Sequence, residues 1–227
     1  MKRIALLIIG TLSAALSLHA AEPVVLFEEP FHDHLRDGWT WLREEPKAWR
    51  IEDDSLVIDT LPGAMFGKEH TARNVLLRPA PVSAEKGFLV EVQLTNDPQV
   101  TYEHAGIICH FDDDNWAVIT KEKLPIDRKN AVPKIMLGSE QDGKPTMPFP
   151  DKPGYYDADV WLRMIVHGGT VTGMWRASEK DEWHLIGERP FPVSTKPLYI
   201  GMHSGCPNTP TGRTARWRHF RILQLAE

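Results

Sequence analysis

The sequence predicts an all-β fold, one domain of antiparallel strands arranged as a sandwich or barrel. Segment after segment alternates apolar and polar residues with period two, the pattern of a half-buried strand. Turn residues punctuate these segments at short spacing, with 18 prolines and 16 glycines in 227 residues. No long helical periodicity follows the first twenty residues.

The chain opens on MKR, then the apolar run IALLIIGTLSAALSL, then LHA-AEP. A short positive stretch, an apolar run too short for a comfortable membrane span and small residues before a cleavage context form a secretory signal pattern. Residues 1–20 are therefore expected to be a signal peptide and residues 21–227 a single β-sandwich domain. The expected location is outside the cytoplasm, secreted or periplasmic in a bacterial envelope, with no membrane span after signal removal.

Next comes GWTWLREEPKAWRIEDDSLVI, with Trp39, Trp41 and Trp49 close together. Trp39 and Trp41 are two apart and share a face in a strand. EEPKA is read as the joint to a second strand, with a turn at Asp53-Asp54 leading into SLVIDT. Most of these rings are expected to pack rather than to form a ligand platform. GFLVEVQLT puts Phe88, Val90, Val92 and Leu94 on one face, and Glu91, Gln93 and Thr95 on the other. AGIICHF and WAVITKE flank Asp112-Asp113-Asp114-Asn115, a hairpin loop of residues that tolerate left-handed backbone. The proline-studded, polar stretch from 124 to 159 reads as a long loop with one short strand at KIMLG. VWLRMIVH and TVTGMWRA flank Gly168-Gly169, which permits a tight hairpin. LYIGMHS and ARWRHFRILQL close the chain, giving about ten strands.

Charge narrows the function. Lys+Arg 26 against Asp+Glu 31 gives a net charge of -5, which argues against nucleic acid as the partner. Two cysteines, Cys109 and Cys206, permit one disulfide in an oxidising compartment; Cys109 sits in an apolar strand and reads foremost as a buried thiol. No G-x-S-x-G elbow, H-E-x-x-H helix, phosphate loop or C-x-x-C pair is present, and neither is an E-x-D-x-E strand that would set two carboxylates at glycosidase spacing. Asp112 to Asn115 offer oxygen atoms of the kind Ca²⁺ takes but lack the frame of a calcium loop, and read as a turn. No cofactor and no metal are expected.

The histidine-bearing strands are the better candidates for a site. His104 and His110 are an even number of positions apart and share one face of their strand. His203 ends LYIGMHS, Lys121 and Glu122 end WAVITKE, and Arg163 shares a face with Trp161. Gathered in one groove, His104, His110, Lys121, Glu122, Arg163 and His203 would supply hydrogen bonds, with Trp116 or Trp161 as a stacking floor. The alternative is an ordinary solvated sheet face.

The order of GWTWLREEPKAWRIEDDSLVI, NVLLRPA, EHAGIICHFDDDNWAVITKE, VWLRMIVHGG and PLYIGMHSG resembles a concanavalin A-like lectin/glucanase domain. It is similar to the "regulation of enolase" group and to the C-terminal β-sandwich of family 43 β-xylosidases, over about Phe27 to Leu225. The resemblance implies a jelly-roll β-sandwich of two antiparallel sheets, one concave, with a carbohydrate face. Three functions stay open. One is a secreted, non-catalytic carbohydrate-binding protein whose partner is a poly- or oligosaccharide. The second is a sugar-active enzyme of the glycoside or 3-keto-glycoside hydrolase type, with Glu122 or His110 in acid–base roles. The third is a structural or partner-binding protein of the envelope.

Overall fold

A computed structural model describes residues 23–146, 159–207 and 209–225. The expected signal peptide lies outside the described residues. No helix among the described residues is long and apolar enough to cross a membrane.

The chain forms strands β1 (Val25–Glu29), β2 (Thr40–Leu42), β3 (Trp49–Ile51), β4 (Leu56–Asp59), β5 (Val75–Pro79), β6 (Phe88–Thr95) and β7 (His104–Asp112). There follow β8 (Asn115–Pro125), β9 (Ala131–Gln141), β10 (Lys144–Thr146), β11 (Asp159–His167), β12 (Thr170–Arg176), β13 (His184–Pro190), β14 (Tyr199–Gly205) and β15 (Thr214–Gln224). One sheet has the order β13-β12-β11-β6-β15-β4-β3, with β1 also pairing β15; the other has the order β10-β9-β8-β7-β14-β5-β2. The fold is an all-β, concanavalin A-like sandwich of two antiparallel sheets.

The alternation in the sequence builds the core directly. Phe88, Val90, Val92 and Leu94 of β6 are fully buried and meet Ala105, Ile107 and Cys109 of β7 from the facing sheet. The expected turns form. Asp53 and Asp54 take φ of 51° each between β3 and β4, and Gly168 and Gly169 take 58° and 75° between β11 and β12. Positive φ at both central positions matches the right-handed twist of the flanking strands. Cys109 and Cys206 are buried thiols with no disulfide between them.

Two expectations are corrected. The stretch from 124 to 159 is not a loop with a single short strand. Leu124 and Pro125 complete β8, eleven residues form β9, and β10 follows; residues 147–158 of that stretch lie outside the described residues. Pro133 is tolerated inside β9 because β10 pairs only with Ser139–Gln141, leaving one side of Pro133 without a ladder partner. The two strands around EEPKA also do not pair with each other. β2 joins β5 in one sheet and β3 joins β4 in the other, so the joint, a 3-10 turn at Pro46–Ala48, crosses the sandwich. The rings of Trp41 and Trp49 meet across it, 4.7 Å between centroids, and all three tryptophans pack against the core.

Candidate functional site

Register decides which polar side chains share the outer face of the second sheet. His104 of β7 lies opposite Glu122 of β8 and Gly205 of β14; in the next row Gly106 lies opposite Thr120 and His203. Side chains opposite one another in neighbouring strands project from the same face. His104 and His203 therefore stand side by side, ring centroids 5.2 Å apart. The two glycines make room. A Cβ on Gly106 would come within 1.9 Å of the Ile119 carbonyl oxygen, so β7 approaches β8 this closely only without a side chain. A Cβ on Gly205 would fall 3.3 Å from His104 Nε2 and 3.3 Å from the Gly63 oxygen.

A strap from residue 61 to 73 crosses this face. Gly63 N–H donates to the Cys206 carbonyl at 3.2 Å, and Cys206 N–H to the Leu61 carbonyl at 3.1 Å. Gly67 N–H donates to Glu140 Oε2 at 2.8 Å. Near the strap's far end Arg43 donates to the Ala72 carbonyl and forms a forked pair with Asp113. Under one half of the strap Met65 and Ala72 pack on Val75, Ile108, Trp116 and Val118. Under the other half a cavity of about 430 Å³ remains. Its base carries His104, His203, Thr120 and Glu122; Trp116, Met136 and Leu124 form apolar walls, and Tyr102 and Glu69 also line it.

Electrostatics make the base neutral. Burial pushes the Glu122 carboxyl up to about 8. Burial also lowers His104, against the opposing effect of its contact with the Tyr102 carbonyl. His203 is lowered well below the usual imidazole value, first by burial and then by His104 and His110. At neutral pH the base holds two neutral imidazoles and a protonated acid. The Tyr102 carbonyl can only accept, so His104 donates from Nδ1 at 2.9 Å and presents Nε2 as an acceptor. Among the described residues, neither ring nitrogen of His203 nor the Thr120 hydroxyl has a hydrogen-bond partner.

Three of the expected site residues, His104, Glu122 and His203, thus come together, with Trp116 in the wall. His110 lies on the same face beyond the cavity, opposite Trp116, with Nε2 3.7 Å from Asp113. The remaining three do not gather. Lys121 is adjacent to Glu122 on one strand and so points the other way, into the core opposite Ala105 and Ile135. Trp161 and Arg163 lie on β11, in the other sheet. There Arg163 and Arg221 share the buried Glu91 carboxyl, and Trp161 stacks on His219 and lies under Arg176. The run from Asp112 to Asn115 folds as the expected hairpin. Asp112 accepts from Asp114 N–H and Asn115, and Asp113 is taken by Arg43. Sequence reasoning missed Thr120, although it lies two residues before Glu122 and so on the same face. It also missed the strap, since LPGAMFGKEHTA reads only as a turn-rich segment.

Residues 27–221 match the family model described as "Beta xylosidase C-terminal Concanavalin A-like domain". "Regulation of enolase protein 1" from Saccharomyces cerevisiae is 27% identical over 113 residues, half of this chain and 53% of that protein. The chain thus aligns with about half the length of that curated relative. The GH43 protein BlXynB from Bacillus licheniformis superposes with a TM-score of 0.73 at 16% identity, covering 87% of this chain and 39% of that one. A functionally unknown protein from Saccharomyces cerevisiae superposes at 0.61 with 22% identity, over 84% of this chain and 98% of that one. At these identities the superpositions establish the shared fold.

Proposed function

The chain belongs to the family of β-xylosidase C-terminal concanavalin A-like domains, and from that premise we propose that it is a secreted, non-catalytic carbohydrate-binding protein with its ligand in the strap-covered cavity. The observation that carries this reading is the meeting of unpartnered hydrogen-bonding groups and apolar walls. His203 and Thr120 are buried and lack protein partners, while Trp116, Val118 and Met136 line the same space. A sugar hydroxyl both donates and accepts, and the C–H faces of a sugar ring pack on an indole. The N-terminal signal pattern supports export. Isothermal calorimetry and affinity gels with plant, algal and microbial saccharides test the reading. Binding that weakens at least tenfold in His203→Ala supports it, and no binding to any of them refutes it.

One observation favours a second reading. Two carboxyl groups in different surroundings, Glu122 at the buried base and Glu69 on the exposed strap, face one cavity. A glycoside hydrolase likewise works with two carboxyl groups facing one substrate. Turnover of aryl glycosides or oligosaccharides that is lost in Glu122→Gln would establish it over pure binding.

A further inference from the structure

We propose that the cavity selects uncharged, short saccharides and rejects sugars that carry a carboxylate or sulfate. This deepens the binding reading and rests on it. Among the described residues, the groups lining the cavity include no lysine or arginine, but they do include two carboxyl groups, Glu69 and Glu122. A uronate carboxylate entering this space would leave water, meet no cation on the lining and face Glu69 at the strap. An ionised group buried without a partner is strongly disfavoured. Lys134 is the register partner of Glu122 on β9, but it lies outside the lining and is itself buried and engaged.

What the base does offer suits hydroxyl groups. His203 brings two ring nitrogens, one a donor and one an acceptor when neutral, Thr120 brings a hydroxyl, and His104 brings Nε2 as acceptor. These are mixed donors and acceptors with no net charge, set below apolar walls, and they match a neutral sugar ring better than an anion. Size sets the length. The 430 Å³ volume sits in the lower part of the range of roughly 300–1,000 Å³ that holds small ligands. The strap that walls it is tied to the sheet at Gly63 and again at Gly67. The ligand is therefore a terminal sugar unit or a short oligosaccharide rather than the interior of a polymer.

The test compares matched pairs by calorimetry on the full chain: glucose- and galactose-based di- and trisaccharides against their uronate counterparts, together with long polymers of the same sugars. Neutral short saccharides are expected to bind at least tenfold tighter than the matching uronates. They should also bind at least as tightly, per mole of chain ends, as the polymers. Glu69→Gln, an exposed change on the strap, should narrow the neutral-to-uronate ratio at least threefold. His203→Phe should weaken the neutral saccharides at least tenfold. Uronates that bind as well as or better than their neutral partners, or polymers preferred per site over their short fragments, overturn the proposal while leaving carbohydrate binding intact. If no saccharide of any kind binds, the binding reading itself falls, and the selection with it.

Discussion

Replacing Trp39 by alanine separates a structural role from a ligand platform. The Trp39 ring makes edge contacts with Phe27 at 5.9 Å and with Phe220 at 5.3 Å between centroids. Phe220 lies on β15 and is fully buried, so Trp39 ties the entry of β2 to the core of the opposite sheet. Its Nε1–H donates at 2.8 Å to Oε2 of Glu29, a carboxyl that is itself fully buried and otherwise accepts from the backbone of Phe31 and Arg36. Truncating a fully buried tryptophan to alanine costs about 3–5 kcal/mol; Trp39 is partly buried, which places it at the low end, about 3 kcal/mol. At about 2–4 °C per kcal/mol for a chain of this size, the midpoint should drop by roughly 6–12 °C. Trp39→Phe keeps a ring between Phe27 and Phe220 and removes only the donor, at a cost of about 1–3 kcal/mol. Thermal unfolding followed by circular dichroism reads both variants, with saccharide affinity measured alongside. An unchanged midpoint in Trp39→Ala combined with lost binding would refute the packing role and return the ring to a ligand platform.

Three further outcomes follow from the same geometry. Glu122 holds its proton up to about 8, whereas an ordinary carboxyl releases it near 4.5. Its contribution to stability is complete below 4.5 and fades as the pH rises toward 8. His104 and His203 are held below 6.5, so their contributions are present above 6.5 and fade on acidification. Between 6.5 and 8 Glu122 alone of these three changes, so urea melts at a series of pH values should show a decline there that flattens in Glu122→Gln; an unaltered slope counts against the buried acid. Arg43→Ala removes the forked bond to Asp113 and the bond to the Ala72 carbonyl, so amide exchange in residues 64–72 should accelerate at least tenfold; unchanged protection there would show that the strap is held elsewhere. Thr120→Val deletes a buried hydroxyl without a protein partner, and should hold or raise the midpoint by a few degrees while weakening saccharide binding. A drop in midpoint would mean that the hydroxyl is structural.

The strands, hairpins and core faces were legible because they depend on neighbours in sequence. Alternation in β6 is enough to separate Val90 and Val92 from Glu91, and Gly168-Gly169 is enough to close a hairpin. Sheet membership is not local. Whether Arg163 stands beside His203 depends on β11 pairing with β6, more than sixty residues away, and nothing near Arg163 encodes that partner. The same holds for EEPKA, which was read as a joint between two strands and which links strands of different sheets. Lys121 is a different case. Period two already sets it opposite to Glu122, so the two could never share a groove as long as the strand stayed regular. β9 was hidden by composition, since Pro133, Lys134 and Glu140 read as loop residues until an outer face is available to receive the polar ones.

The face beneath the strap is apolar on one side and polar on the other. On one side Ala72 joins Val75 and Ile108 in an apolar cluster, as an outer sheet face needing only cover would, while Met65, Trp116 and Val118 belong both to that cluster and to the cavity lining. On the other side the same strap passes over two histidines, a threonine and a protonated glutamate. A buried polar group without a partner costs about 1–3 kcal/mol, and the His203 ring nitrogens and the Thr120 hydroxyl cluster here. Packing alone gives no reason to place such groups together beside an apolar cluster on the same face. A hydroxylated ligand supplies one, because it would satisfy His203 and Thr120 in a single step and convert the local cost of the folded sheet into binding free energy.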